Sequence, residues 1–400
     1  MIGGMRVMVH CQRMNDEARR AGLNPAVAGM ARSGIREIMD AAWGRPGAIR
    51  LEVGEPDFPT PAHVVEAAHL AALEGNTGYQ PSAGIPQLRE ALAVKVRERN
   101  GYTVTPQQTI VTQGGVEALY ASLLTLTQPG DEILLPDPAW PNFLLISQML
   151  NLRAMTYPLT ADAGYQPELE TLEALVSART SVIVINSPSN PVGAVIGRAR
   201  MTELLAFTER HGLWMVSDEC YDEIDFDGGF VSPASIAPER VVSAYSFSKT
   251  YAMTGWRIGY AVAPPEVAPT LAKCQEPIIS CVNAPTQYAA LAAVTGPQYV
   301  VTEMRQAYRE RRGVALSVLK GSELRPFAPQ GAFYLWVDAR STGLPSRELA
   351  MRLLEERNVV VVPGSAFGAR GEGFLRVSLA SSAESIVEGL RRLLDLTASL

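Results

Sequence analysis

The sequence predicts an α/β protein with a large domain, in which a mostly parallel seven-stranded sheet lies between helices, and a smaller α/β domain. Short β-branched runs alternate with longer amphipathic stretches over residues 108–263, which is typical of parallel strands covered by helices. After residue 295 the pattern changes to fewer strands separated by long helices. With 400 residues, of which 47% are hydrophobic, the chain is long enough to bury two cores.

Runs that are enriched in β-branched and apolar residues are the candidate strands of the large domain. These strands are residues 108–112, 132–136, 153–157, 181–186, 213–217, 241–246 and 257–263. Amphipathic stretches between them predict helices, for example over residues 116–127 and 198–211.

The smaller domain is predicted from a second series of elements that follows a long polar helix over residues 298–320. Its strands are 332–337, 359–362 and 374–379, and its helices are 346–357 and 383–397. We therefore expect the chain to divide into three parts. They are an N-terminal arm with part of the small domain (1–60), the large domain (61–295) and the small C-terminal domain (296–400).

The charge balance argues against nucleic-acid and membrane-surface partners. The chain has 35 Lys and Arg residues and 41 Asp and Glu residues, a net charge of -6 without long runs of one sign. No apolar run approaches the roughly 20 residues that a membrane helix requires. Residues 1–20 lack the continuous apolar centre of a secretory signal, so we expect a cytoplasmic protein that acts on small molecules.

The cysteines do not form a metal-binding or disulfide pattern. Cys11, Cys220, Cys274 and Cys281 show neither C-x-x-C spacing nor a neighbouring histidine cluster. We expect them to be reduced and mostly buried, and we expect no metal site.

Residues 246–260, SFSKTYAMTGWRIGY, place a lysine between two serines and an arginine. Lys249 is suited to bond covalently to an aldehyde cofactor. The hydroxyls of Ser246 and Ser248 and the planar fork of Arg257 are suited to hold a phosphate beside that bond. Such a set would bind both ends of pyridoxal phosphate, although a lone S-x-S-K also occurs by chance.

Small and polar residues follow the predicted strands at the edge where open parallel sheets bind their ligands. Gly114 and Gly115 come after the first strand and, with Val116, open a helix. The unpaired N–H groups at this helix start would bind a phosphate, and glycine allows its close approach. A simple tight turn is the alternative interpretation of the glycine pair.

Asp218 ends the predicted strand LWMVS. Its carboxylate would pair with the cofactor's pyridine nitrogen and keep it protonated, so that the ring withdraws electrons. Tyr221 and Asn190 can donate hydrogen bonds to the ring's phenolic oxygen. The alternatives are a helix-capping Asp218, a Tyr221 that packs in the core, and an ordinary turn at Asn190 before Pro191.

Three motifs together are more specific: S-N-P-x-G at 189–193, D-x-x-Y at 218–221 and S-x-S-K at 246–249. In this order they resemble the class I and II aminotransferases, which are fold type I pyridoxal phosphate enzymes, and the resemblance runs from about residue 51 to 379. It implies the fold type I architecture and pyridoxal 5'-phosphate as the cofactor of the large domain. It also implies that Lys249 carries the cofactor and that Arg257 clamps its phosphate.

The resemblance implies roles for four further residues. Trp140, in DPAWPNF, corresponds to an aromatic residue that stacks on the cofactor ring, although it could equally be a core tryptophan. Tyr79, in TGYQPSAGIPQLREAL, corresponds to a tyrosine that reaches the neighbouring subunit's phosphate, which implies a homodimer with shared active sites. Arg376, in FLRVSLA, corresponds to the arginine that binds the substrate's α-carboxylate, and an exposed strand edge is its alternative. Gly54, in LEVGEPDFPTP, would lie over the same carboxylate beside Asn190.

The resemblance implies an aminotransferase of amino acid metabolism with a biosynthetic role. Such an enzyme passes the amino group of an L-2-amino acid to a 2-oxo acid by a ping-pong mechanism. Lys249, Asp218 and Tyr221 would be catalytic, with Lys249 as a general base whose neutral form is favoured by burial and positive neighbours. A lyase, synthase or oxidase of the same fold is an alternative. Two other classes are disfavoured. A DNA-binding regulator of this fold needs an added helix-turn-helix domain, which we do not expect in the roughly 50 residues before Leu51. A dinucleotide-dependent oxidoreductase needs a G-x-G-x-x-G turn after its first strand, and the sequence has none there.

The substrate's side chain would be selected by pocket residues. Val116 and Glu117 stand where some dicarboxylate-selective relatives place a cation. This disfavours aspartate as a dedicated substrate and leaves neutral, aromatic or unusual amino acids open. The candidate pocket residues are Ile35, Trp140, Phe333 and Tyr334.

Overall fold

The computed structural model describes residues 22–31 and 33–400, and these residues form the α/β architecture that the sequence predicts. The expectations for Cys11 and for residues 1–20 lie outside the described residues. Cys220, Cys274 and Cys281 are free and half-buried, whereas we expected most of the cysteines to be buried. No described helix is long and apolar enough to cross a membrane.

The helices are α1 Pro25–Ala28, α2 Gly34–Ala41, α3 Ala62–Leu73, α4 Pro86–Lys95, α5 Gly115–Leu126, α6 Asn142–Met149, α7 Leu169–Leu175, α8 Arg198–His211, α9 Phe247–Thr250, α10 Ala268–Ile279, α11 Ala284–Thr295, α12 Tyr299–Leu319, α13 Ser346–Arg357 and α14 Ala383–Thr397. The strands are β1 Ile49–Arg50, β2 Thr109–Thr112, β3 Glu132–Asp137, β4 Arg153–Pro158, β5 Thr180–Asn186, β6 Trp214–Asp218, β7 Val241–Ser246, β8 Gly259–Val262, β9 Arg325–Phe327, β10 Tyr334–Asp338, β11 Val359–Val360, β12 Val362–Pro363 and β13 Phe374–Ser378.

The large sheet has seven strands in the order β2-β8-β7-β6-β5-β3-β4. Strand β8 runs antiparallel to both of its neighbours, and all other neighbouring strands pair in parallel, so the predicted mostly parallel sheet is confirmed. Ile133 and Val182 belong to one buried apolar cluster, whereas the next residues, Leu134 and Ile183, belong to another. Alternate side chains of a strand point to opposite faces, so helices cover both faces of this sheet.

One of the two smaller sheets joins the N-terminal segment to the C-terminal part of the described chain. Strands β12-β13-β10-β9 form an antiparallel sheet, and β1 pairs in parallel with β11, with Ile49 opposite Val359. The strand predicted over 359–362 is therefore two short strands, because Val359–Val360 pairs with β1 and Val362–Pro363 pairs with β13.

The strand predicted over 257–263 begins later than expected, at Gly259. Arg257 has a φ of 53°, which lies outside the extended region and cannot continue a strand. This turn directly precedes β8 and sets the direction of the Arg257 side chain.

Candidate active site

The predicted site residues collect at the carboxyl edge of the parallel strands. Strand β6 ends at Asp218 and β7 ends at Ser246, while Gly114 follows the antiparallel-paired strand β2. Asn186 ends β5 and lies opposite Asp218 in the sheet register. This is the edge at which ligands bind in open α/β sheets.

Lys249 lies in the short helix α9, which starts directly after β7. The Ser246 hydroxyl caps this helix by accepting a hydrogen bond from the Ser248 N–H (3.1 Å). The Lys249 ammonium donates to the Gly54 carbonyl (2.5 Å), so the lysine is held near the N-terminal segment. Burial lowers the pKa of Lys249 to about 8; the positive charges of Arg376 and Arg257 also lower it.

A group of small residues and donors surrounds the start of α5. Gly114 has a φ of 81°, and a Cβ atom built on it would lie 2.7 Å from Arg257 Nη2. A Cβ on Gly115 would lie 2.7 Å from Cys220 Sγ and 3.4 Å from the Ser246 Cβ. The structure therefore brings Arg257 and Ser246 to the opening of α5.

This group fits a phosphate, because it combines an exposed guanidinium, hydroxyls and helix N–H groups with a backbone that carries no side chains. Val116 is the second residue of α5, so its N–H is one of the first-turn donors that have no intrahelical partner. Ser248 is buried next to the cap that Ser246 forms. We refer to Gly114, Gly115, Val116, Ser246, Ser248 and Arg257 as the phosphate cradle.

Asp218 is buried at the end of β6. Its Oδ1 accepts a hydrogen bond from the Cys220 N–H (3.1 Å), and its carbonyl accepts one from Asn186 Nδ2 (3.1 Å). Burial raises the pKa of Asp218 to about 6, while the Cys220 hydrogen bonds and the charge of Lys249 act in the opposite direction. A buried carboxylate of this kind is stabilised by a cationic partner such as a protonated pyridine nitrogen.

Arg376 is 2% exposed, so the alternative of an exposed strand edge is wrong. Its Nη1 donates to Asn190 Oδ1 (2.9 Å) and its Nη2 donates to the Glu52 carbonyl (2.7 Å). Its Nε is buried and has no hydrogen-bond partner among the residues that the structure describes. The guanidinium also lies 4.2 Å from the centroid of the Tyr334 ring. A buried cation with a spare donor is suited to bind a carboxylate.

Tyr221 lies beside this arginine. Its hydroxyl is 2.9 Å from the Tyr334 hydroxyl, and burial raises its pKa. A Cβ on Gly54 would lie 2.8 Å from the Tyr334 hydroxyl, so Gly54 also faces this group. Phe333 packs edge-on against Tyr221, with ring centroids 5.5 Å apart. The structure thus brings Gly54, Tyr221 and the predicted pocket residues Phe333 and Tyr334 together.

The three remaining predicted residues lie in other segments of the chain. Tyr79 lies between α3 and α4 and is 90% exposed in the single chain. Trp140 follows β3, is half-buried and packs edge-on against Phe143 at 5.7 Å. Ile35 is half-buried in α2. The contacts proposed for these three residues, with a partner subunit, a cofactor and a substrate, stay predictions.

Two residues that position the site, Asn186 and Glu52, were not predicted from the sequence. Asn186 Oδ1 accepts a hydrogen bond from the Asn190 N–H (2.7 Å) while its Nδ2 donates to Asp218, so it fixes both loops. A polar residue that ends an otherwise apolar strand was the available signal. Glu52 contributes through its backbone carbonyl, which no sequence motif reveals.

The fold and this arrangement are suited to an enzyme that would bind a phosphate-bearing cofactor and a carboxylate close to a lysine. The sequence profile of aminotransferase class I and II matches residues 46–393. The chain belongs to this family, so the resemblance seen in the sequence is confirmed. The protein is a pyridoxal phosphate-dependent aminotransferase.

Individual relatives agree with this assignment over most of their length. The chain is 41% identical to a probable aspartate/prephenate aminotransferase of Aquifex aeolicus, covering 86% of this chain and 90% of the relative. It is 36% identical to aromatic-amino-acid aminotransferase 2 of Thermococcus litoralis, covering 90% and 94%. A solved structure of a single mutant of Thermus thermophilus aspartate aminotransferase superimposes with a TM-score of 0.90 at 36% identity, covering 94% of this chain and 99% of that one.

Proposed function

We propose that the protein transfers the amino group of an L-2-amino acid to a 2-oxo acid in two ping-pong half-reactions, and that Lys249 moves the proton. The observation that carries this proposal is the environment of Lys249. Its amine has a pKa lowered to about 8 and lies within hydrogen-bond distance of Gly54. A neutral amine is the form that accepts a proton from a substrate carbon.

Pyridoxal phosphate, when bound, supplies an aldehyde that joins to amines and a ring that withdraws electrons. The phosphate cradle would hold its phosphate, and Asp218 would pair with its ring nitrogen. Tyr221 and Asn190 would donate hydrogen bonds to the ring oxygen. These roles use the residues that the sheet edge brings together, and the cradle combines helix N–H donors with two glycines on which a side chain would meet its neighbours.

Arg376 and Gly54 would bind the substrate's α-carboxylate. Arg376 is already oriented by Asn190 and by the Glu52 carbonyl, so little side-chain entropy would be lost on binding. Because Lys249 contacts Gly54, a carboxylate held here would place the neighbouring α-carbon near the lysine amine.

The amino donor is proposed to have a neutral or aromatic side chain. Val116 and Glu117 occupy the first turn of α5, and Glu117 is buried with its carboxylate accepting a hydrogen bond from the Gln113 N–H. A negative or neutral group at this position does not favour a second substrate carboxylate. The relatives include a probable aspartate/prephenate aminotransferase and an aromatic-amino-acid aminotransferase, so a panel of donors that includes both side-chain types tests this preference.

We also propose a cytoplasmic homodimer with a biosynthetic role, in which Tyr79 and Trp140 complete the sites by reaching the partner's phosphate and by stacking on the cofactor ring. A tyrosine that is 90% exposed in one chain is available to a second chain. The proposed division of the chain, 1–60, 61–295 and 296–400, agrees with the pairing of β1 with β11.

The test is a panel of amino donors offered with 2-oxoglutarate or pyruvate, followed by mass spectrometry of both products. We expect one amino group transferred for each donor consumed, with neutral or aromatic donors preferred. Release of ammonia or peroxide in place of transfer would identify a lyase or an oxidase of the same fold. Lys249→Ala is expected to abolish both the absorbance that arises from the covalent bond between lysine and cofactor and the amino-group transfer, and normal turnover in this variant would overturn the proposal.

A further inference from the structure

Residues 52–60, which we call the strap, run without helix or strand across the candidate active site. The Glu52 carbonyl accepts a hydrogen bond from Arg376 (2.7 Å), and the Gly54 carbonyl accepts one from Lys249 (2.5 Å). The strap therefore contacts the two charged side chains on which the proposed reaction depends. Its position determines where the backbone of Gly54 lies relative to both.

The far end of the strap is tied to the loop that follows Lys249. The Thr60 hydroxyl donates to the Ala252 carbonyl (2.6 Å) and accepts a hydrogen bond from Trp256 Nε1 (3.0 Å). The Thr254 hydroxyl donates to the Glu55 carboxylate. These contacts fix the strap on the large-domain side, where Arg257 follows Trp256 in the same loop.

The middle of the strap is held by an ion pair with helix α12. Both carboxylate oxygens of Asp57 accept hydrogen bonds from Arg311, from Nη1 and from Nη2, at 2.8 Å each. The pair is partly shielded from solvent, since the side chains of Arg311 and Asp57 are 13% and 29% exposed. A bidentate ion pair that is partly shielded from solvent fixes the orientation of its two side chains better than a single exposed contact does.

Arg311 has further contacts that orient it. Its guanidinium lies 5.3 Å from the ring centroid of Phe58 and 5.6 Å from that of Tyr308. Its Nη1 also donates to the Leu379 carbonyl (3.2 Å), directly after the strand that carries Arg376. One side chain thus links the strap to the segment that holds the carboxylate-binding arginine.

We propose that Arg311 and Asp57 are positioning residues for the substrate's α-carboxylate, because together they hold Gly54 in register with Arg376. The inference rests on the proposed function, in which Gly54 and Arg376 bind that carboxylate. The phosphate cradle, by contrast, is held by β7, α5 and the loop before β8, and Arg311 and Asp57 belong to none of these elements. Loosening the pair should weaken carboxylate binding and leave phosphate binding nearly unchanged.

Asp57→Asn tests the proposal with little change in shape. The amide retains one acceptor but turns an N–H group toward Arg311, so the two-pronged pair is lost. Arg311→Lys is the second variant, which keeps the charge and removes the fork. Arg352→Gln is the matched control, since it removes an arginine–carboxylate pair with Glu356 on the exposed face of α13.

The measurements are calorimetric titrations of the pyridoxal phosphate-loaded proteins with succinate and with 3-phenylpropionate, two carboxylates that lack an amino group. Cofactor affinity is measured separately by absorbance titration, and KM and kcat are measured with the preferred donor. We expect Asp57→Asn and Arg311→Lys to bind whichever carboxylate the wild type binds about tenfold more weakly, the value of one hydrogen bond to a charged group. KM should rise by a similar factor, while cofactor affinity and the control remain as in the wild type.

Wild-type carboxylate affinity in both variants would overturn the positioning role while leaving the proposed function intact. An equal loss of cofactor affinity would also overturn it, because the pair would then support the fold as a whole. A wild-type protein that binds neither carboxylate and transfers no amino group would instead overturn the proposed function.

Discussion

The hydroxyl of Tyr334 offers a sharp test of how the site is organised. It is 2.9 Å from the Tyr221 hydroxyl, and both side chains are buried. Tyr334→Phe removes this one oxygen and keeps the ring, so the contact between the ring and Arg376 at 4.2 Å is retained. The variant therefore separates the hydroxyl's effect on Tyr221 from the ring's effect on Arg376.

The magnitude follows from a single neutral hydrogen bond. Such a bond contributes about 1 kcal/mol net, and its loss leaves the buried Tyr221 hydroxyl without this partner. If that hydroxyl is needed in a fixed orientation at the transition state, kcat/KM should fall about fivefold. Cofactor affinity should change less, because the phosphate cradle is untouched.

The matched control is Tyr308→Phe. The Tyr308 hydroxyl is buried and no described residue forms a hydrogen bond with it, while its ring packs against Phe333 with centroids 5.1 Å apart. We expect this variant to keep the kcat/KM of the wild type in steady-state assays with the preferred donor and acceptor. Equal kcat/KM values for Tyr334→Phe, Tyr308→Phe and the wild type would refute the reasoning.

Three further predictions concern the lysine, the cradle and the arginine. In the folded protein the pKa of Lys249 is lowered from 10.5 to about 8, so protonation of this lysine lowers the stability of the fold as the pH falls through that interval. In melting curves of the cofactor-free proteins, the melting temperature of Lys249→Met relative to that of the wild type should therefore rise from pH 11 to pH 7. A difference in melting temperature that does not change with pH would contradict the lowered pKa. Gly114→Ala should weaken phosphate binding, measured by calorimetry, about tenfold, because the new Cβ would contact Arg257 and because Gly114 has a positive φ. The control is Gly130→Ala, which also has a positive φ but has open space around the new Cβ, and it should bind phosphate as the wild type does. Arg376→Lys should raise the donor's KM about tenfold with a smaller change in kcat, because the charge remains but the fork is lost; an unchanged KM would remove Arg376 from the carboxylate site.

The sequence was most informative where local chemistry and sheet geometry agree. The strand-end positions of Asp218 and Ser246 followed from apolar runs that stop at polar residues, and parallel strands bring such ends together. The cluster around Lys249 was therefore predictable before any coordinates. The family resemblance added Arg376 and Gly54, which lie far from Lys249 in the chain.

Other features depend on contacts between distant segments, which the local pattern does not encode. The apolar run 359–362 predicts one strand, but it divides because β1 and β13 compete for different parts of it. The hydrogen bonds of Glu52 and Gly54 use backbone carbonyls, so no residue type marks them. The contacts of Tyr79 with a second subunit remain a prediction, because they require a chain that folds against this one.

The hydrogen bond between Arg376 and the Glu52 carbonyl joins residues that are 324 positions apart. During synthesis, the strands that build the phosphate cradle leave the ribosome well before β13 does. At that stage the chain includes Lys249 and every residue of the phosphate cradle, whereas Arg376, which would bind the substrate's α-carboxylate, has still to be added. The residues proposed to hold the coenzyme are thus all synthesised before the arginine proposed to select the amino acid.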